Sequence, residues 1–362
     1  MPDGSLPPSP PAGAPARPLR DADALAAAGL LPAAGLPALR AVAARYAVSV
    51  TPAMAALIDP ADPADPIAAQ YLPHPAELEA TAQEREDPIA DAPHTPVKGV
   101  THRYPDRALL KPLLACPVYC RFCFRREQVG PGGGVLDEAE LEAALDWFAA
   151  HPGVREAILT GGDPLMLSPR RLRHIVARLS AMPHIEIIRL HTRVPVADPA
   201  RVTAAMAEAL DTETALFLLL HANHAREFTQ DARAALRRLS RAGVALLGQS
   251  VLLRGVNDSP AAMEALLRAM LANRVKPYYL HQLDRAPGTA RFEVPIAEGR
   301  ALLEGLRGRV TGLAWPTYAL DLPEGQGKAP IGPDFAERRD GGWQVRGPLG
   351  GDHFQPDAPP PA

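Results

Sequence analysis

From about Arg107 onward, short apolar runs alternate with helical patterns of apolar positions. The runs cover 108–115, 156–160, 185–190, 213–220, 244–252 and 276–281. Between and after them, helices are predicted over 137–150, 168–181, 199–210, 229–242, 260–273 and 295–307. Leu141, Ala144, Leu145 and Phe148 fit the i, i+3, i+4, i+7 spacing of one helix face, as do Leu172, Ile175, Val176 and Leu179. Ser168-Pro169, Asp198-Pro199 and Ser259-Pro260 each read as an N-cap followed by proline in the first helical turn. Asp137 with Glu140 reads as a capping box. Strand–helix repetition predicts parallel strands joined by right-handed crossovers. Six units predict an α/β fold of the open type, a partial parallel (β/α)6 barrel, because a closed barrel takes eight. A doubly wound sheet is the competing architecture.

Upstream, residues 21–57 are rich in Ala and Leu at helical spacing, and 58–94 are acidic and broken by proline. Residues 1–18 hold seven prolines and 356–361 hold four, which predicts tails at both ends. The expected organisation is a disordered tail over 1–20, a helical region and connector over 21–106, a barrel over 107–335 and a C-terminal tail over 336–362. A net charge of −3 argues against a dedicated nucleic-acid or anionic-membrane binder. No apolar run approaches the roughly 20 residues needed to span a bilayer, and the start lacks a signal pattern. A cytoplasmic protein is the default expectation.

Unusual polar residues fall where the apolar runs end. Cys116, Gly161-Gly162-Asp163, His191-Thr192-Arg193 and His221 follow the first four runs, Gln249 lies in the fifth, and His281 to Asp284 close the sixth. The carboxyl ends of parallel strands converge on one face, where sites are built. The only three cysteines are Cys116, Cys120 and Cys123, spaced C-x3-C-x2-C. Such a cluster is a poor disulfide framework and a good metal or cluster site. Three thiolates on one loop suit three irons of a [4Fe–4S] cube, leaving the fourth iron open to an exogenous ligand. Zinc with a distant histidine is the alternative. Only four lysines occur: Lys98, Lys111, Lys276 and Lys328. Lys328 stands in Gly325-Gln-Gly327-Lys328-Ala, which fails the phosphate-loop template at Leu322 and Ala329. It suits a lysine brought close to a flat cofactor as a Schiff base; an exposed loop lysine is the other reading.

The cysteine pattern with Phe122 before its last member resembles the radical SAM (S-adenosylmethionine) superfamily. Further segments extend the likeness from about Asp65 to Phe335. They are His102-Arg-Tyr-Pro-Asp-Arg107, Gly161-Gly162-Asp163-Pro164, Gln249 to Asp258, Leu283-Asp284 to Phe292, and Asp321 to Lys328. Together they resemble the lysine 2,3-aminomutase family, whose members use a [4Fe–4S] cluster, SAM and pyridoxal 5′-phosphate (PLP). The resemblance implies that the three cysteines hold the cluster and that Lys328 is the catalytic, PLP-binding lysine. Arg107 contacts the PLP phosphate, and Phe122, Gly161, Gly162, Asp163, His221 and Gln249 line the SAM site. Arg125 meets the substrate carboxylate, and Asp284 with Asp321 holds the side-chain ammonium of lysine. A buried ammonium needs such compensation, whereas a carboxylate side chain is repelled. The implied reaction moves the α-amino group of L-lysine to C3, giving β-lysine. The alternatives are the same chemistry on glutamate or arginine, β-lysine supply for elongation factor P, or a non-catalytic metal-binding protein. Implied partners are a small amino acid, a flavodoxin-type reductase as electron donor and a second copy of the chain. Longer family members carry further cysteines for zinc; Ser259 stands at one of those positions.

Overall fold

The computed structural model describes residues 17–32, 34–130, 132–348 and 350–358; the tail assignments for 1–16 and 359–362 lie outside them. Four short helices open the chain: α1 Ala22–Ala27, α2 Leu36–Arg45, α3 Pro52–Ala55 and α4 Pro66–Tyr71. Three begin at side-chain caps: Asp21, Thr51 and Asp65 accept from backbone amides of the first turn. Val48, Val50, Met54, Ile67 and Tyr71 form a small core with Val118 and Ala197, which belong to the barrel. The helical region is therefore packed onto the loop that carries the cysteines.

The main sheet has nine strands in chain order: β1 Val100–Tyr104, β2 Arg107–Leu113, β3 Glu156–Gly161, β4 Ile187–Thr192, β5 Ala215–His221, β6 Ala245–Val251, β7 Lys276–His281, β8 Thr317–Leu322 and β9 Gly327–Pro330. β2 to β8 are parallel, while β1 and β9 pair antiparallel at the two edges. An order that never reverses is that of an open barrel; a doubly wound sheet reverses at a switch point. All six apolar runs are parallel strands. β8 is a seventh that the hydrophobic pattern did not reveal, because only Tyr318 and Ala319 of its six residues are buried.

Crossovers are made by α5 Glu138–Ala149, α6 Pro169–Ser180, α7 Val194–Ala197, α8 Ala204–Glu208, α9 Gln230–Arg241, α10 Pro260–Ala272 and α11 Ile296–Leu306. Asp137 and Glu140 make the reciprocal capping box, and Ser168 and Ser259 cap as read from sequence. The helix predicted over 199–210 is instead a single turn at Pro199–Arg201 followed by α8. Asp198 makes no side-chain capping bond, and Thr203 caps α8. The segment read as a C-terminal tail forms a three-stranded antiparallel sheet, β10 Ala336–Arg339, β11 Gly342–Arg346 and β12 Asp352–Pro356. At the other end, Leu19 bridges Val50. Among the described residues no helix is long and apolar enough to cross a membrane.

Candidate active site

A cavity of about 300 Å³ occupies the barrel interior, and every residue expected to hold a cofactor or the substrate lines it. The Cys116–Cys123 loop follows β2 and is held from the N-terminal region. Tyr119 N donates to Ser49 O (3.1 Å), Ser49 Oγ to Pro117 O (2.9 Å) and Arg121 N to Gln70 O (2.8 Å). Inside the loop, Cys123 N donates to Cys120 O at 3.1 Å. Buried Glu77 anchors the loop by accepting from Arg121 Nε (3.0 Å) and from Arg126. Burial alone would raise the Glu77 carboxyl, but the two arginines outweigh it and hold the group below its ordinary value. Burial pushes the Cys123 thiol up to about 11 and the Cys116 thiol well above its usual range. A metal or cluster held by these sulfurs would therefore release protons on binding.

The glycines after β3 press against the start of this loop. A Cβ on Gly162 would lie 2.3 Å from Ala115 O, and Gly161 has φ +103. Gly162 N donates to Leu113 O (2.8 Å) and Asp163 N to Ala115 O (2.9 Å). The Asp163 carboxylate turns into the protein. It accepts from Thr192 Oγ1 (2.7 Å), Arg193 N (2.7 Å), Leu165 N (3.1 Å) and Val194 N (3.2 Å). Its oxygens thus join the β3 and β4 ends at the edge of the cavity that Asp163 lines.

Phe122 is buried between His221 and Phe292, with ring centroids 5.7 and 5.9 Å away. His221 ends β5, and Gln249 is its register partner on β6. Nε2 of His221 and Nε2 of His191 are buried without a hydrogen-bond partner, and both residues line the cavity. Burial holds both imidazoles well below their usual pKa, so they are neutral.

Lys328 on β9 pairs in register with Asp321 on β8. Its Nζ donates to Asp321 Oδ2 and lies 3.3 Å from His281 Nδ1. Asp284 follows β7; no hydrogen bond to its carboxylate is found among the described residues. Burial and the negative charge of Asp321 push it up to about 7. Arg125 Nε donates to Asp91 Oδ2 at 2.7 Å. Burial raises the Asp91 carboxyl, but Arg125, Lys111 and Arg103 overcome this and bring it to about 2. Arg107 opens β2, at the opposite end of that strand from Cys116. Its guanidinium lies 3.7 Å from the Tyr104 ring centroid and pairs with Asp106. Arg103 and Arg189 also line the cavity, paired with Asp91 and Glu156, and guanidinium forks of this kind suit a phosphate.

Sequence reasoning marked His191 and His281 as polar residues at strand ends but gave no site role to them, nor to Asp91, Arg103, Arg189 and Tyr279. For two of them a signal existed: Arg189 and His191 alternate along β4, the spacing that puts both on one face. Asp91 sits on a short turn of the connector, where nothing in the local pattern points to the barrel.

The donor set fits the implied groups. Thiols spread along one loop suit separate irons of a cluster better than one tetrahedral zinc. The buried Nε2 atoms of His191 and His221 and the guanidinium-lined end are groups that polar ligands satisfy.

The Radical SAM superfamily model matches residues 110–267. L-lysine 2,3-aminomutase from Acetoanaerobium sticklandii is 39% identical over 288 residues, 80% of this chain and 70% of the relative. L-lysine 2,3-aminomutase from Clostridium subterminale is 40% identical over 288 residues, 80% of this chain and 69% of the relative. Glutamate 2,3-aminomutase from Clostridioides difficile is 34% identical over 297 residues, 82% of this chain and 70% of the relative. With this extent of likeness and three cysteines facing the interior of a parallel barrel, the chain belongs to the lysine 2,3-aminomutase family of radical SAM isomerases.

Proposed function

We propose that the protein moves the α-amino group of L-lysine to C3, yielding β-lysine. The observation that carries this reading is the pair of cavity carboxylates at Asp284 and Asp321. Asp321 is engaged by Lys328, while Asp284 makes no ion pair among the described residues and is pushed up to about 7 by burial and the Asp321 charge, which outweigh the more distant Lys328, Arg125 and Arg103. A carboxylate side chain entering here would add a further negative charge beside Asp321 and raise the cost of ionising Asp284. An ammonium relieves the repulsion and gains charge-assisted hydrogen bonds.

The bound groups supply the hard chemistry: a cluster with SAM generates a carbon radical, and PLP conjugates the migrating nitrogen. The chain's own residues bind and orient. Cys116, Cys120 and Cys123 hold the cluster, and Phe122, His221 and Gln249 flank the space beside it. Lys328 offers the amine for PLP, and Arg107, with Arg103 and Arg189 beside it, faces the phosphate. Arg125 spends its Nε on Asp91, which leaves the two terminal nitrogens of its fork for a substrate carboxylate. When substrate enters, its side-chain ammonium takes the place of the Lys328 amine beside Asp321. The helical region packed over the cysteine loop keeps water from that side of the cavity. An amino acid is the partner; an electron donor supplies the reducing electron.

Asp284→Asn tests the reading while leaving the Lys328–Asp321 pair in place. The expected result is a loss of about ten- to a hundredfold in kcat/KM for lysine, the size of one lost hydrogen bond to a charged group, with SAM binding unchanged. Unaltered lysine kinetics would contradict the assignment.

A further inference from the structure

One buried cation is left without a role in this chemistry. Arg193 follows β4 and is 5% exposed. Its Nη1 lies 3.2 Å from Cys120 Sγ. Its Nη2 donates to Gln70 Oε1 at 2.5 Å and to Glu227 Oε2 at 2.8 Å. The guanidinium carbon sits 5.0 Å from the Tyr71 ring centroid and 5.6 Å from that of Phe122. Asp163 holds its backbone amide at 2.7 Å. Side chains from α4, from the cysteine loop and from the turn after β5 thus fix one guanidinium against one sulfur. Among the described residues, neither Cys116 nor Cys123 has a side-chain donor on its sulfur.

We propose that Arg193 sets the reduction potential of the cluster held by the cysteine loop, acting through the Cys120 sulfur. The inference rests on the reading that this loop binds a [4Fe–4S] cluster. Reduction adds one electron, delivered by an external one-electron reductant, and Arg193 keeps its proton in both states. The added negative charge spreads onto the cluster sulfurs. A fixed cation with an N–H aimed at one of them stabilises the reduced state more than the oxidised one and raises the potential. Burial keeps solvent ions from screening the effect. Glu227 moderates it, because its carboxylate takes one arm of the same guanidinium. Arg193 is a positioning and tuning residue: it touches a ligand sulfur and no reacting atom.

The test is a reductive titration of anaerobically reconstituted full-length protein, read by visible absorbance and electron paramagnetic resonance, with iron and sulfide measured for every variant. Arg193→Gln should shift the oxidised-to-reduced ratio about tenfold toward oxidised at a fixed solution potential, a change of about 59 mV for one electron. Arg193→Lys should restore part of the shift. Glu227→Gln, which keeps its backbone acceptor Oε1 and frees the cation, should shift the ratio the opposite way. A merely structural Arg193 would admit water when replaced, and added exposure would not produce shifts of opposite sign in the two variants. If Arg193→Gln takes up no cluster, Glu227→Gln decides: a shift toward reduced supports the proposal, and an unchanged potential overturns it. Full clusters with unshifted potentials in both variants also overturn it. A wild-type protein that takes up neither iron nor sulfide removes the cluster reading itself, and the inference with it.

Discussion

Replacing Asp284 by Asn should stabilise the ligand-free protein, with a benefit that grows with pH. The carboxyl ionises at about 7 in the folded protein, against an ordinary 3.8, because burial and the Asp321 charge disfavour its charged form. Between those values the native state holds a proton that the unfolded chain has released. Stability therefore falls as pH rises through this window and levels off above about 7. At 1.36 kcal/mol per pH unit, the gap is worth about 4 kcal/mol at full ionisation. Asn keeps the shape and cannot ionise, so it escapes the penalty. The expected gain is about 2–4 kcal/mol at pH 8, shrinking toward zero near pH 4. The assay is denaturant unfolding of both ligand-free proteins across this range. Taking the difference between them cancels the titration of every group that does not interact with Asp284. An Asn advantage of equal size at both ends would refute the reasoning, as would a wild type more stable at pH 8. The same substitution is expected to lower lysine turnover, so the site gives up stability for function.

Other perturbations follow from the same geometry. Gly162→Ala places a methyl 2.3 Å from Ala115 O, directly before Cys116. It should cost about 1–3 kcal/mol in thermal stability and cut iron uptake below half; full iron content would contradict the close-packing argument. Glu77→Gln strips the carboxylate from buried Arg121 and Arg126 and should cost about 3–5 kcal/mol in denaturant unfolding. An unchanged midpoint would contradict the anchoring role. Lys328→Ala should abolish borohydride-trappable PLP while leaving iron uptake intact, and a trapped adduct in that variant would remove the assignment.

Legibility in the sequence depended on how local each signal was. Caps at Asp137, Ser168 and Ser259 act within one turn and were readable from a few residues. Asp198-Pro199 carried the same local signature, yet the chain turns again after three residues and Thr203 takes over the cap. β8 escaped because an edge-proximal strand buries few side chains, and the C-terminal sheet because Glu337 to Arg339 and Asp352 to Phe354 are exposed on all sides. The cysteines stood out by type and spacing and Lys328 as one of only four lysines, whereas the two aspartates came from the family resemblance. Asp91, Gln70 and Glu77 did not stand out. Their roles come from contacts made more than 30 residues away, with Arg125, Arg193 and Arg121, and no local pattern encodes such pairings. Asp163 shows the converse: a residue conspicuous in its motif whose carboxylate joins the β3 and β4 ends.

Product analysis bears most directly on the reading of Asp284 and Asp321. The reconstituted protein would be given PLP, SAM and dithionite without oxygen, and offered isotopically labelled lysine, arginine and glutamate together. Mass spectrometry should find label in β-lysine alone. Labelled β-glutamate would contradict the paired-carboxylate argument, and labelled β-arginine would retain a cationic substrate while overturning lysine.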